Sequence, residues 1–160
     1  MNKRGFTLVE VLVALALLSV GLVPAFIQAT NALMLSTTVR NSLIAAHLAQ
    51  EGVEVLRALR DDNWFAGRAF DAGLDACQVG CILAWNADTP QDAAGNLPLK
   101  FDAATGMYQY ATGTDSPFRR KITVAHVSPV ELSVISEVTW RERSVDKRFV
   151  VESHLYNWLP

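Results

Sequence analysis

Gly5-Phe6-Thr7-Leu8-Val9-Glu10 stands between a short basic start, Met1-Asn2-Lys3-Arg4, and a long apolar run, and the order of these three pieces decides the fold. A secretory signal peptide carries its small-residue cleavage site after the apolar stretch. Here the small residue, Gly5, comes before it, so a cut after Gly5 leaves the apolar segment on the mature chain. The segment is then a lasting part of the protein, first an anchor and afterwards a packing surface.

After Glu10 the next charged side chain is Arg40. Crossing the hydrocarbon of a bilayer takes about 20 predominantly apolar residues as a helix, and residues 6–27 meet that length. Lys3 and Arg4 flank the N-terminal side, so the positive-inside rule puts the N-terminus in the cytoplasm and everything beyond about residue 30 outside it. Gly21 and Pro24 interrupt the run. Proline removes a backbone donor and glycine lowers helix propensity, so a kink or local loosening is expected there.

Glu10 is the exception within the apolar run. A carboxylate in the membrane interior costs about 2.5–3.5 kcal/mol on insertion scales, and such groups are usually paired and functional. A cut after Gly5 creates an α-amino group at Phe6, one helical turn from Glu10, on this chain and on every neighbouring copy. The partial positive charge of a helix N-terminus also favours an anion at that position.

The stretch Gly5-Phe6-Thr7-Leu8-Val9-Glu10, after a basic leader and before an apolar helix, resembles the class III signal of type IV pilins and type II secretion pseudopilins. The resemblance covers roughly residues 1–30. It implies that a membrane prepilin peptidase cuts after Gly5 and methylates the new N-terminal residue, Phe6. It also implies that Glu10 neutralises the N-terminal amine of an adjacent subunit and sets the register of a growing filament. By the same likeness, helix in the region of Gly21 and Pro24 can be lost when subunits pack without lipid.

At 160 residues, 51% hydrophobic and 19% charged, the chain has room for one anchor and one small head. The net charge of −2, or −4 once Lys3 and Arg4 are removed, gives no overall basic footprint for nucleic acid or anionic lipid. The charge is uneven: residues 61–115 hold two bases and eight acids, whereas residues 116–160 hold seven bases and five acids.

Beyond the apolar run, Leu33, Val39, Leu43, Ala46, Gln50, Val53, Leu56 and Leu59 recur at mostly helical spacing, which predicts an amphipathic helix packed on the chain's own sheet. Glu51, Glu54, Arg57 and Arg60 read as its solvated face. One helix from residue 6 to about 59, ended by Asp61-Asp62-Asn63, would measure about 80 Å at 1.5 Å per residue. Residues 61–115 read as irregular loops with short elements. Cys77 and Cys81 lie there and are expected to pair in an oxidising compartment. No second cysteine pair or histidine motif accompanies them, so no metal site is expected, and Asp88, Asp92 and Asn96 match no calcium-loop spacing.

The last third reads as a three-stranded antiparallel meander over residues 118–127, 131–141 and 147–157, broken at Ser128-Pro129 and Ser144-Val145-Asp146. Leu132, Val134, Val138 and Trp140 share one face of the middle strand, and Phe149, Val151 and Leu155 one face of the last; both faces are expected to cover the helix stripe. Arg119, Arg120, Lys121, Arg141, Arg143, Lys147 and Arg148 are expected at strand ends and on the outer surface, protecting the edge. The closing Tyr156-Asn157-Trp158-Leu159-Pro160 is expected to finish the last strand against the core. His47, His126 and His154 are isolated in sequence, and neither a phosphate-binding glycine loop nor a G-x-S-x-G nucleophile motif occurs, so neither catalysis nor a cofactor is expected.

The fold class expected is α+β and pilin-like: a leader at 1–5, a transmembrane or filament-core helix at 6–29, and a periplasmic head at 30–160. The head comprises an amphipathic helix at 30–60, a loop region at 61–115 and a sheet at 116–160. The Arg119-Arg120-Lys121-Ile122 and Val138-Thr139-Trp140 strands and the Asn157-Trp158 ending are similar to the PilV-type minor pilins. That resemblance implies a structural subunit that initiates, caps or modifies a type IV pilus. Its partners would be prepilin peptidase, other major and minor pilins and the inner membrane, with nucleic acid not expected. The competing roles are a minor pseudopilin of type II secretion and a DNA-uptake pilin, the latter using Arg119, Arg120 and Lys121.

Overall fold

The computed structural model describes residue 5, residues 7–93 and residues 95–158. One helix, α1, spans Leu8–Phe65. A single 3-10 turn, Asp75–Cys77, follows, and then β1 (Cys81–Ile82), β2 (Gln91–Asp92), β3 (Pro98–Asp102), β4 (Met107–Gln109), β5 (Thr114–Ser128), β6 (Glu131–Glu142) and β7 (Val145–Tyr156). The chain divides into two units, Met1–Arg40 and Asn41–Pro160. In the first, every described apolar side chain is exposed. The second is an α+β unit in which residues 41–65 of α1 pack on an antiparallel sheet.

The face that α1 buries is not the one the large apolar residues mark out. Ala45, Leu48, Ala49, Gly52, Val53, Leu56, Arg60 and Asn63 are buried, at the three- and four-residue spacing of one helical stripe. Of the expected stripe only Val53 and Leu56 coincide with it, while Leu33, Val39 and Leu43 are exposed. Small residues are the reason. Ala45, Ala49 and Gly52 let the helix axis approach the sheet, so the contact follows small side chains rather than the most hydrophobic ones. Arg60 and Asn63 turn inward with that face, which corrects the placing of Arg60 on a solvated face.

The helix also runs past Asp61-Asp62-Asn63 to Phe65. Its stop is Gly67, at φ +66°: the Gly67 N–H donates to Trp64 O at 3.0 Å and the Arg68 N–H to Asn63 O at 2.8 Å, the paired bonds of a Schellman cap. Asn63 serves the turn beyond, donating to Ala72 O at 2.9 Å and accepting from Arg68 Nε at 2.9 Å.

Among the described residues seven strands form one sheet, in which β5 is central: β6 lies on one side, followed by β7, and on the other side β5 pairs with both β3 and β1. All pairs are antiparallel. The meander β5–β6–β7 is present with wider bounds, and the sheet gains four short strands from the region expected to be mainly loop. β5 starts at Thr114 because β3 pairs with its first residues, Phe101 opposite Thr114 and Lys100 opposite Asp115. Short strands such as Cys81–Ile82 carry too few residues to show a period of two. The β6–β7 turn falls at Arg143-Ser144, with φ of 49° and 67°, so Val145 and Asp146 already belong to β7. Two positive φ values are what a two-residue type I′ hairpin turn requires.

Two apolar clusters lie between helix and sheet. One joins Ala45, Leu48 and Ala49 to Leu99, Phe118, Val138 and Trp140. The other joins Val53 and Leu56 to Phe70, Leu74, the Cys77–Cys81 pair, Ile122, Val124, Leu132, Val134 and Leu155. Phe149, expected on the covered face, is 36% exposed at the free edge. Gly52, Arg120 and Ser136 occupy the positions between the two clusters on α1, β5 and β6, so a polar seam crosses the core.

Candidate processing and assembly site

Gly5 is exposed, and nothing lies within 4 Å of where a Cβ would project. Phe6, the expected methylation site, lies outside the described residues, as do Lys3 and Arg4. Thr7 caps α1: its Oγ1 accepts the Glu10 N–H at 3.3 Å, and its carbonyl accepts the Val11 N–H at 3.2 Å. Thr7-Leu8-Val9-Glu10 therefore has the Thr-x-x-Glu spacing of a capping box, a local sequence cue for the start of α1. Glu10 lies in the first turn, exposed, with its carboxylate at the positive end of the helix. No ion pair reaches Glu10 among the described residues.

α1, Leu8–Phe65, is long enough and, near its N-terminus, apolar enough to cross a membrane. Several of its hydroxyl groups bond back to the helix: Ser19 Oγ donates to Ala16 O at 2.8 Å, Thr30 Oγ1 to Ile27 O at 2.9 Å and Thr37 Oγ1 to Leu33 O at 3.2 Å. For these groups, burial in hydrocarbon would leave no unpaired donor. Gly21 and Pro24 both lie inside α1. Pro24 has no N–H to offer the Val20 carbonyl, and no side chain stands within 4 Å of a Cβ at Gly21.

In the head, Cys77 and Cys81 are joined by a disulfide, and both are fully buried between the 3-10 turn and β1. The basic residues expected together on the outer surface are divided. Arg120 shares the inner face of β5 with Phe118, Ile122 and Val124 and is buried. Its Nη1 donates to Glu51 Oε1 at 2.9 Å and to Leu48 O at 2.8 Å, and its Nη2 donates to Leu83 O at 2.5 Å. One guanidinium thus ties α1, β5 and the segment after β1 together. Glu51, expected in solvent, is its counter-ion. Tyr110 donates from its hydroxyl to Arg120 O at 3.3 Å, and burial pushes its phenol above the ordinary value of 10.0.

Arg119, Lys121, Arg141, Arg143, Lys147 and Arg148 do remain exposed. Four of them, all but Lys121 and Arg143, line an open groove of about 660 Å³ with Asn96, Ser116, Pro117, Thr139, Trp140 and Asp146. The three histidines stay apart. His126 faces Asp71 at 3.8 Å, and His154 faces Glu131 at 2.8 Å. At the C-terminus Trp158 packs edge-on against Trp64 at 5.1 Å, and Trp64 Nε1 donates to Asn157 Oδ1 at 2.9 Å.

A protein family described as "Prokaryotic N-terminal methylation motif" matches residues 1–26. No curated protein and no solved structure matches the chain. The motif implies processing by prepilin peptidase and assembly with other pilins, and it points to a structural subunit rather than an enzyme. The motif, the Gly5-to-Glu10 order it covers, and a long apolar helix packed on an antiparallel sheet together support a type IV pilin-like class for this chain.

Proposed function

We propose that the protein is a minor type IV pilin, cut after Gly5, methylated at Phe6 and built into a pilus as an initiating, capping or modifying subunit. The observation that carries this is Glu10, an acid one turn from the expected new N-terminus and followed by no other charge until Arg40. In a membrane the head lies on the periplasmic side, and Glu10 meets the Phe6 amine of the next subunit on assembly. The likeness of β5, β6 and the Asn157-Trp158 ending to minor pilins supports the finer assignment over a secretion pseudopilin. The DNA-uptake alternative loses one of its three bases, because Arg120 is buried.

The intact mass of the protein from its native host tests the processing. The expected mass lacks residues 1–5 and carries one added methyl group; a chain beginning at Met1 overturns the proposal. Glu10→Ala should be processed normally yet enter sheared pili about tenfold less or worse, consistent with the roughly 2.5–3.5 kcal/mol at stake for an intramembrane carboxylate. Undiminished incorporation removes Glu10 from assembly. Loss of surface pili on deletion, with secretion intact, separates a pilus subunit from a pseudopilin.

A further inference from the structure

We propose that Glu152 and His154, neighbours on the outer face of β7, bind a divalent transition cation of the zinc type. The ladder sets Tyr156 opposite Glu131, His154 opposite Ser133 and Glu152 opposite Ile135. Leu132, Val134 and Leu155, which alternate with them, are buried in the core, so these six residues belong to the outer face. Glu152 and His154 are two apart on one strand, which brings both over the same patch of sheet. Their side chains are 56% and 41% exposed, open to an ion from solvent. Each ligating atom is held by a group on β6. An ionised carboxylate only accepts, so the 2.8 Å contact between Glu131 Oε1 and His154 Nδ1 places the imidazole proton on Nδ1. The Tyr156 hydroxyl donates to the same oxygen at 2.9 Å. That leaves a lone pair on His154 Nε2, 3.6 Å from Glu152 Oε1, which itself accepts the Ser133 hydroxyl at 3.0 Å. A separation of 3.6 Å is too long for a hydrogen bond. It is close to the span of about 3.4 Å between two ligands of a tetrahedral zinc ion with bonds of about 2.0–2.1 Å. A carboxylate behind the ligating imidazole is the usual support of such a site.

The charges around the pair favour a cation. Ser128, Ala125 and Thr123 continue the rows of Glu131, Ser133 and Ile135 onto β5, so these rows hold two carboxylates and no lysine or arginine. The bases of the same face, Arg119, Arg141 and Arg148, gather at its other end. A divalent ion balances the two carboxylates. One nitrogen and one oxygen ligand suit zinc and its neighbours rather than calcium or magnesium, which take oxygen. Among the described residues no three His, Cys, Asp or Glu side chains form one ligand group. The chain therefore provides two ligands and water the rest, which makes the ion an exchangeable one. His154 stands isolated in sequence from its support, because Glu131 lies 23 residues before it and Ser133 lies 19 before Glu152. The site is independent of the pilus assignment: it uses β6 and β7 alone, and N-terminal processing can fail without affecting it.

The test uses the full-length chain, without a histidine tag, labelled with heavy nitrogen and held in mild detergent. Zinc chloride is titrated in, the imidazole nitrogens of His47, His126 and His154 are followed by magnetic resonance, and bound zinc is measured by equilibrium dialysis. Zinc should move the Nε2 resonance of His154 saturably, with a single ion per chain, and a chelator should reverse the shift. His47 and His126 should stay in place, and magnesium chloride at the same concentration should move none of the three. His154→Gln should abolish binding. Glu131→Ala should weaken it about 10- to 100-fold, the usual cost of losing the group behind a ligand, and Glu152→Gln by at least as much. Should Glu131→Ala lose the native thermal transition, Glu152→Gln, which changes an exposed side chain, still decides. No response to zinc, equal shifts at all three histidines, undiminished binding in Glu152→Gln, or the same response to magnesium overturns the proposal. The N-terminal mass is unaffected by any of these outcomes.

Discussion

Gly52 lies where α1 comes closest to the sheet: a Cβ added there would stand 2.5 Å from Ser136 Oγ and 3.1 Å from Arg120 Cδ. Gly52→Ala should therefore cost about 1–3 kcal/mol, the usual range for overpacking, even though alanine is the better helix former. Thermal unfolding measures the loss, and Ser136→Ala in the same chain should recover part of it by removing the nearest atom. A Gly52→Ala chain as stable as the parent would show that the helix can lift off the seam freely. Arg120 is the more consequential residue. Arg120→Ala leaves the Glu51 carboxylate and the Leu48 and Leu83 carbonyls without their donor, and should cost about 3–5 kcal/mol in denaturant unfolding, as broken buried pairs do. Arg120→Met, which fills the space without a charge, should cost less. A Met variant worse than the Ala variant contradicts this account. The inward turn of Arg120 could have been found in the sequence, since Phe118, Ile122 and Val124 share its parity. Its neighbours Arg119 and Lys121 made the run look like a surface.

Element boundaries follow the same division. β5, β6 and β7 are twelve residues or longer, and a stretch of each alternates well enough to be legible, whereas β1 to β4 have five residues or fewer and owe their strand form to pairing with β5 and with each other. The end of α1 depended on Gly67, which follows the Asp61-Asp62-Asn63 cluster that looked like the stop. The disulfide belongs at this scale because it closes a short turn leading into β1. Chain entropy for so small a loop gives about 2 kcal/mol, at the low end of the usual range. Reduction should accordingly lower the unfolding midpoint without abolishing the cooperative transition, as near-ultraviolet circular dichroism with and without reductant would show. Complete loss of the transition would mean that the pair holds more than its own loop.

Folding of the whole chain couples to pH through Tyr110. Burial raises its phenol in the folded state, so its contribution to stability is fully present below the unfolded value near 10 and disappears as pH rises through the higher folded value. Stability should decline above about pH 10, and Tyr110→Phe should flatten that decline. Thermal midpoints across the alkaline range, read beside phenolate absorbance, measure it; an unchanged slope in the variant would place the sensitivity elsewhere. Tyr156 is raised as well, by its hydrogen bond to Glu131, but it is exposed and should contribute little. The sequence alone determined the N-terminal order of basic residues, Gly5, Glu10 and apolar run, and also the β5–β6–β7 meander. Charge order and strand period are written in neighbouring residues and need no distant partner. Tertiary structure alone decided which face of α1 is buried, the inward turn of Arg120 onto Glu51, the four short strands, and the gathering of Arg119, Arg141 and Arg148 into one groove. Each of those depends on contacts between residues far apart in the chain, where close approach and hydrogen-bond satisfaction outweigh local hydrophobicity.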